Sequence, residues 1–426
     1  MVAHDVADLS LARGGEARIA WADGQMPVLR SIRERFERER PLDDVAVAAC
    51  LHVTAETANL VRALMAGGAE VALAAANPLS TQDDTAAALV EEHGAEVHAR
   101  YGEDADAYAA HIVALAAGRP HVTLDDGADL LTFLHAGAAD LRERLVGGVE
   151  ETTTGLLRAR RLEAEGRLLC PVVAVNEAHA ERVFNDFFGT GQSTLDGILR
   201  ATNLLLAGQT LVLLGYGWTG RGIALRARGA GAQVVVCEID PLRALEARME
   251  GFDVMPAIEA APRGDVFVTV TGSRSVLRRK HFERMKDGAV LANAGHFDVE
   301  IDLGDLRALA REVRDVLPLV QEYDLGDRRL NLLAAGRVVN LAAGQGHPAA
   351  VMDMSFALAA LVVEDLVRRG AGLAPGVHPV PDRIDREIAR LKLASLGVEI
   401  DTPTPEQEAY RSTWAPGSAP GSASEV

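Results

Sequence analysis

The sequence predicts an α/β protein built as two Rossmann-like, doubly wound parallel-sheet domains. Three observations predict it. Short apolar runs of strand length alternate with Ala/Glu/Arg-rich stretches of helical period almost throughout, the rhythm of parallel strands covered by helices. The runs fall into two series, separated near GTGQSTLDGILRATNLLLAG (189–208). The second series opens on a glycine-rich strand–turn–helix.

In the first series VAVAACLH (45–52), EVALAAAN (70–77), HVTLDD (121–126) and PVVAVN (171–176) read as buried parallel strands, with helices such as TAETANLVRALMAGG between them. Residues 189–208 read as a loop followed by a long helix that crosses between the domains. The second series is TLVLLG, AQVVVCE, VFVTVTG, AVLANAG and RVVNLA. This divides the chain into a substrate domain over 1–188, completed by 348–380, a dinucleotide domain over 189–347 and a C-terminal segment over 381–426. The Pro/Gly/Ser-rich end, WAPGSAPGSASEV (414–426), is expected to be disordered.

With 426 residues, 48% hydrophobic and 24% charged, the chain has the composition of a multidomain globular protein. Its formal net charge of −18 argues against nucleic acid or an anionic membrane as partner. Cys50, Cys170 and Cys237 are far apart, each in an apolar stretch, and read as buried reduced thiols. The N-terminus lacks the basic-then-apolar pattern of a signal peptide, and FALAALVVEDLV (356–367) is broken by Glu364 and Asp365. The expectation is a soluble, cytoplasmic protein.

TLVLLGYGWTGRGIALRARGAGAQVVVCEID carries the strongest local signal. A buried strand runs into Gly215, Gly217 and Gly220, then a helix, then a second strand ending in Glu238. The first glycine permits the tight turn, the second lets backbone approach a pyrophosphate, and the third lets helix and strand pack closely. The helix N-terminus offers amides to the phosphates. Glu238 would accept from the adenosine ribose and repel a 2′-phosphate, which favours NAD over NADP. Arg243 leaves two roles open: tolerance of a phosphate, or solvation of the next helix start.

With that site placed, CLHVTAETA (50–58), NPLSTQDD (77–84), LDDGADL (124–130), EETTTG (150–155), GYGWTGRG (215–222), GHFDVEID (295–302) and NLAAGQGHP (340–348) resemble the adenosylhomocysteinase family, the S-adenosyl-L-homocysteine hydrolases. The similarity runs from about residue 5 to about residue 405 and looks closest to the shorter bacterial and archaeal branch. The resemblance implies tightly held, recycled NAD and a small-molecule adenine nucleoside substrate. It also implies a redox-neutral cycle: oxidation of the ribose 3′-hydroxyl, removal of the C4′ proton, loss of the 5′ substituent, addition of water and reduction of the ketone. C4′–H is not acidic until a carbonyl adjoins it, so a hydride acceptor must act before the base. A homotetramer follows by family analogy, and no residue set is assigned to a metal.

The resemblance also assigns roles. Thr54 and Glu56 match contacts to the adenine edge, and His347 matches the histidine at the adenine end. Glu151 and Thr152 match residues at the ribose hydroxyls. Asp126 matches the aspartate near C4′ and C5′, His52 the acid/base near the leaving group, and His296 the histidine beside ribose and nicotinamide. Thr153, Thr154, Thr271 and Asn293 match polar contacts to NAD, and Asn340 matches the carboxamide partner. Singly, His52 or His347 also reads as a structural histidine and Asp126 as a helix cap; the family blocks decide for function.

One segment departs. VNEAHAERVFND (175–186) stands where the family reads roughly VNDS-x-x-K-x-x-FDN. The lysine and aspartate that grip the oxidised hydroxyl become Glu181 and Asn185, and the asparagine that follows becomes Asp186. Phe187–Phe188 replaces a family Arg–Tyr. A base that sheds its proton when buried is thus replaced by an acid. The preferred reading is a specialised lyase that eliminates the 5′-hydroxyl as water and releases a 4′,5′-unsaturated nucleoside of the angustmycin type. The alternative is a genuine adenosylhomocysteinase with a rewired hydroxyl grip; the third reading is a catalytically silent NAD- and nucleoside-binding regulator.

Overall fold

The computed structural model describes residues 2–412 except Ala138; the expected disorder of 414–426 lies outside them. The first series of strands is β1 (His4–Val6), β2 (Ala46–Leu51), β3 (Glu70–Ala75), β4 (Glu96–Ala99), β5 (Val122–Asp125), β6 (Gly147–Glu150) and β7 (Pro171–Ala174). The second is β8 (Thr210–Leu214), β9 (Gln233–Cys237), β10 (Asp253–Val254), β11 (Val266–Thr269), β12 (Ala289–Asn293), β13 (Glu312–Leu317), β14 (Val320–Asp324) and β15 (Arg329–Leu333). The chain then returns to the first sheet as β16 (Gly376–Pro379).

Two eight-stranded sheets result, ordered β1-β4-β3-β2-β5-β6-β7-β16 and β10-β9-β8-β11-β12-β15-β14-β13. The first is parallel throughout. The central strands of both are buried runs such as VAVAACL and TLVLL, as a sheet covered on both faces requires, whereas the edge strand β13 is largely exposed. The second sheet ends in an antiparallel meander, β15-β14-β13. The expected strand RVVNLA is not one. The meander takes the place beside β12, so only the single bridge Asn293–Val338 remains and Val339–Ala342 form a turn of helix. The long helix Ala349–Arg369 is buried on most sides and packs against the first sheet's helices. None of the helices among the described residues is long and apolar enough to cross a membrane. All three cysteines are free and buried.

Candidate active site

The candidates of the first sheet stand at the carboxyl ends of strands, around the point where strand order reverses between β2 and β5, where open parallel sheets bind ligands. His52 follows β2, Asp126 follows β5, Glu151 follows β6, and the segment with Glu181 follows β7. From the second sheet, the loop after β12 brings His296 to the same point.

Asp126 stands between two histidines. His52 Nε2 lies 3.3 Å from its Oδ2 and His296 Nδ1 lies 3.5 Å from its Oδ1. His52 Nδ1 is 2.7 Å from Ser80 Oγ, and that hydroxyl donates to the Asn77 carbonyl at 2.9 Å. A hydroxyl has one hydrogen, so Nδ1–H must be the donor to Ser80. Burial lowers the His52 pKa, opposed by the charge of Asp126. With Nδ1 carrying the hydrogen of a neutral ring, Nε2 is left as an acceptor facing Asp126 Oδ2, suited to taking a proton from carbon and passing one to a leaving group. His296 packs edge-on against Phe297, centroids 4.6 Å apart. It lies over Gly127, where a Cβ would come within 2.9 Å of its Nε2. The ligand atoms of His52, Asp126 and His296 all lie within 4.8 Å of one another, close enough to hold a metal ion as well.

Near this cluster lie buried acids. Glu181–Thr190 form a π-helix that runs directly into the helix Gly191–Thr202, so the loop expected at 189 is absent. The wider i→i+5 register sets both Asn185 and Asp186 one turn from Glu181. Glu181 is 3% exposed. Burial pushes its pKa up to about 8, helped by the charges of Asp186 and Asp126 and opposed by hydrogen bonds from Ser355 and Asn185. Its Oε2 has no partner among the described residues. Burial, and next Glu181, raise Glu151 well above the usual carboxyl range, and its Oε1 is likewise unpartnered. Burial brings Asp186 to about 7.

The nucleoside candidates divide between scaffold and cleft. Thr54 caps the helix Ala55–Ala66 by accepting from Thr57 N at 3.4 Å. Glu56, its pKa raised by burial, lines a cleft of about 440 Å³ with Gln82, Gln345 and His347. Burial holds His347 neutral at a pKa of about 4, and its Nε2 is 3.1 Å from Thr190 Oγ1. Thr152 caps the helix Thr153–Ala164 through Gly155 N at 3.0 Å and donates to Glu150 Oε1 at 2.8 Å. Thr153 Oγ1 donates to Asn176 Oδ1 at 2.9 Å, and Thr154 follows in the same first turn.

At the dinucleotide end the glycines do distinct things. Gly215 has φ +105°, and a Cβ there would lie 2.8 Å from the Val270 carbonyl oxygen. A Cβ at Gly220 would lie 2.1 Å from the Gly215 carbonyl oxygen, whereas at Gly217 it would meet only Arg243 Nη1, at 3.5 Å. The backbone at Gly217 is thus open to a phosphate. Glu238 accepts from the amides of Tyr216, Ile239 and Asp240, three of a carboxylate's roughly four acceptor positions. Asn340 is buried with its Oδ1 unpartnered among the described residues, as an acceptor for a carboxamide N–H would be. The residues present therefore fit NAD.

Thr271 and Asn293 are tied into the loops around them. Thr271 N and Oγ1 donate to Glu300 Oε2 at 2.9 and 2.8 Å, and Gly272 N donates to its Oε1 at 2.8 Å. Asn293 Nδ2 donates to the carbonyls of Gly295 and Phe297, and its Oδ1 accepts from Gly295 N and Thr269 Oγ1. Both side chains hold the loops beside the dinucleotide turn in shape.

Sequence reasoning missed Ser80, Glu150, Glu300, Ser355 and Gly222. Glu300 lay inside a quoted block as one of its three acids. Gly222 is the glycine after the fingerprint, and a Cβ there would lie 2.0 Å from the Phe187 carbonyl oxygen. It lets the π-helix with Asp186 lie directly on the dinucleotide helix.

The family model for S-adenosyl-L-homocysteine hydrolase matches residues 3–146, and that for its NAD binding domain matches residues 186–346. The adenosylhomocysteinase of Thermosynechococcus vestitus is 54% identical over 417 residues, 98% of this chain and 97% of that protein. That of Aquifex aeolicus is 56% identical over 414 residues, 97% and 99%. An S-inosyl-L-homocysteine hydrolase of Methanopyrus kandleri is 52% identical over 416 residues, 97% and 98%. Strand order, glycine turns and near full-length identity agree: the chain belongs to the S-adenosyl-L-homocysteine hydrolase family and takes NAD as its cofactor.

Proposed function

We propose that the chain catalyses a redox-neutral cycle on a purine nucleoside: 3′-oxidation, C4′ deprotonation, loss of the 5′ substituent and 3′-reduction. The observation that carries this reading is the His52 Nε2–Asp126 Oδ2 contact at 3.3 Å, set beside the carboxyl oxygens of Glu181 and Glu151 that have no partner among the described residues. NAD, when bound, supplies the hydride acceptor and donor for the 3′ carbon. Glu181 Oε2 takes the proton of the 3′-hydroxyl, with Asn185 beside it as amide donor. Glu151 orients the ribose hydroxyls. Asp126 and His52 remove the C4′ proton and hand one to the leaving group. Glu56 and His347 face the base, Asp186 faces the nicotinamide, and Glu238 takes the adenosine ribose.

The names of the relatives support hydrolysis of S-adenosylhomocysteine to adenosine and homocysteine, and the S-inosyl relative leaves the base open between adenine and hypoxanthine. A second reading, 5′-dehydration to a 4′,5′-unsaturated nucleoside, draws on the π-helix. A protonated Glu181, next to two further acids, suits a substrate whose sugar and leaving group differ. Hydroxide leaves less readily than thiolate, and a site rich in held protons compensates for that. Nucleoside binding by the first sheet's unit, dinucleotide binding by the second's, and a homotetramer complete the proposal.

The test is direct. Purified protein is incubated in D₂O with adenosine, inosine and related 5′-hydroxyl nucleosides, with and without homocysteine and without added NAD, and the products are weighed. Thioether formed with homocysteine establishes the hydrolase reading; loss of one water without homocysteine establishes the lyase. No deuterium at C4′ with any purine nucleoside would overturn the cycle itself.

A further inference from the structure

The helix Thr153–Ala164 carries three arginines that the sequence leaves alike, Arg158, Arg160 and Arg161. Arg160 pairs with Glu177 and Arg161 with Glu165, both at the surface. Arg158 turns toward the active site instead. Its Nη1 donates to the Gly127 carbonyl at 2.9 Å and to Asp129 Oδ1, and its guanidinium carbon lies over the Phe297 ring, 5.1 Å from the centroid. The other oxygen of Asp129 accepts from the Tyr108 hydroxyl at 2.7 Å, so the carboxylate is itself anchored. A planar guanidinium can bond at its edge while an aromatic face stacks on it. Arg158 does both between two loops of different sheets, since Gly127 follows β5 and Phe297 follows β12.

Those two residues are the chain neighbours of Asp126 and His296. His296 Nδ1 lies 3.5 Å from Asp126 Oδ1, an oxygen with no hydrogen-bond partner among the described residues. The His296 ring rests over Gly127, where a Cβ would come within 2.9 Å of it, and packs edge-on against Phe297. A spacing of 3.5 Å is longer than a hydrogen bond, so it is set by how the two loops are held and not by the pair itself. We propose that Arg158 is a positioning residue: its guanidinium clamps the Gly127 turn to the Phe297 ring and thereby sets His296 against Asp126. This rests on the reading of Asp126 and His52 as the groups that remove the C4′ proton.

The experiment follows C4′ deuterium exchange of adenosine in D₂O by the NAD-loaded full chain, with nicotinamide reduction read alongside. It compares wild type, Arg158→Gln, Phe297→Leu and the double variant. Arg158→Gln frees Gly127 and Asp129, so exchange should fall roughly 10–100-fold. KM and nicotinamide reduction should stay within about twofold, because the clamp serves the Asp126 step and not the Glu181 step. Guanidinium and ring act as one unit, so Arg158→Gln should cost about two- to fivefold less in the Phe297→Leu background than in wild type. Arg158→Lys keeps the charge without the fork and falls between wild type and glutamine. If the glutamine variant fails to fold or to hold NAD, the lysine variant carries the test with an expected loss of roughly tenfold. Losses that multiply without coupling, equal losses in exchange and reduction, or a lysine variant that matches wild type each overturn the inference while leaving the cycle standing. A wild-type protein that exchanges no C4′ hydrogen with any purine nucleoside overturns the cycle, and the inference with it.

Discussion

Glu181 offers a prediction that needs no substrate. Its carboxyl is displaced from an ordinary 4.5 to about 8, chiefly by burial. A group whose folded pKa is raised binds its proton more tightly in the folded chain. Below its unfolded pKa both states are protonated and nothing is lost. Between about 4.5 and about 8 the unfolded chain releases the proton while the fold keeps it, so stability declines as pH rises, and above about 8 the full cost is present. At about 1.36 kcal/mol per pH unit, the upper bound is roughly 5 kcal/mol; water entry around a buried charge reduces this, giving a working figure of about 2–5 kcal/mol. Glu181→Gln keeps the shape and removes the titration. Melting curves of wild type and variant, taken from about pH 5 to about pH 9, should therefore diverge, with wild type losing on the order of 5–15 °C more than the variant across that window. The other buried acids titrate in both proteins, and Glu181→Gln also relieves Glu151 of a like charge, which adds to the divergence in the same direction. Parallel curves would refute a protonated, desolvated Glu181.

Three further perturbations separate the parts of the site. Ser80→Ala removes the acceptor of His52 Nδ1–H; C4′ deuterium exchange should fall about 10–100-fold, as when a supporting partner of a catalytic group is lost, while nicotinamide reduction by adenosine stays within about twofold, and equal losses in both would contradict the assignment. Gly222→Ala drives a methyl into the Phe187 carbonyl, so the protein should lose about 1–3 kcal/mol of stability and be purified with less NAD, measured as nucleotide released on denaturation; full NAD content with an unchanged melt would count against it. Glu238→Gln keeps the shape but weakens the grip on the adenosine ribose, so stripped protein should reload NAD with about 1–3 kcal/mol less affinity and discriminate less against NADP, which equilibrium binding of both dinucleotides would show.

What the sequence made legible was local. Gly215, Gly217, Gly220 and Glu238 lie within one strand–turn–helix–strand, where each residue's neighbours in space are also its neighbours in the chain. His52, Asp126 and Glu151 each end a short apolar run, so the strand that presents them is visible in the same window. Ser355 had no such window. It sits in a helix whose residues 356–363 are apolar, and only the packing of that helix on Glu181–Thr190 gives one hydroxyl a task. Glu300 was not singled out, because its hydrogen bonds run to Thr271 and Gly272 in a loop distant in sequence. RVVNLA has the composition of a strand and loses its place because the hairpin that immediately precedes it in the chain occupies it.

The departure at 181–186 is the case where composition and structure answer each other. The family pattern of lysine, aspartate and asparagine sums to zero charge, whereas Glu181, Asn185 and Asp186 sum to minus two if ionised. Such a pair of charges in a buried turn costs far more than any hydrogen bond there returns. Burial resolves the conflict by moving both acids toward their protonated forms, to about 8 and about 7. The segment thereby regains most of its neutrality near pH 7, and it does so with dissociable protons where the family pattern has a fixed ion pair. A segment arranged in this way changes the direction in which a proton is most readily moved, and that change is what distinguishes an acid at residue 181 from a base.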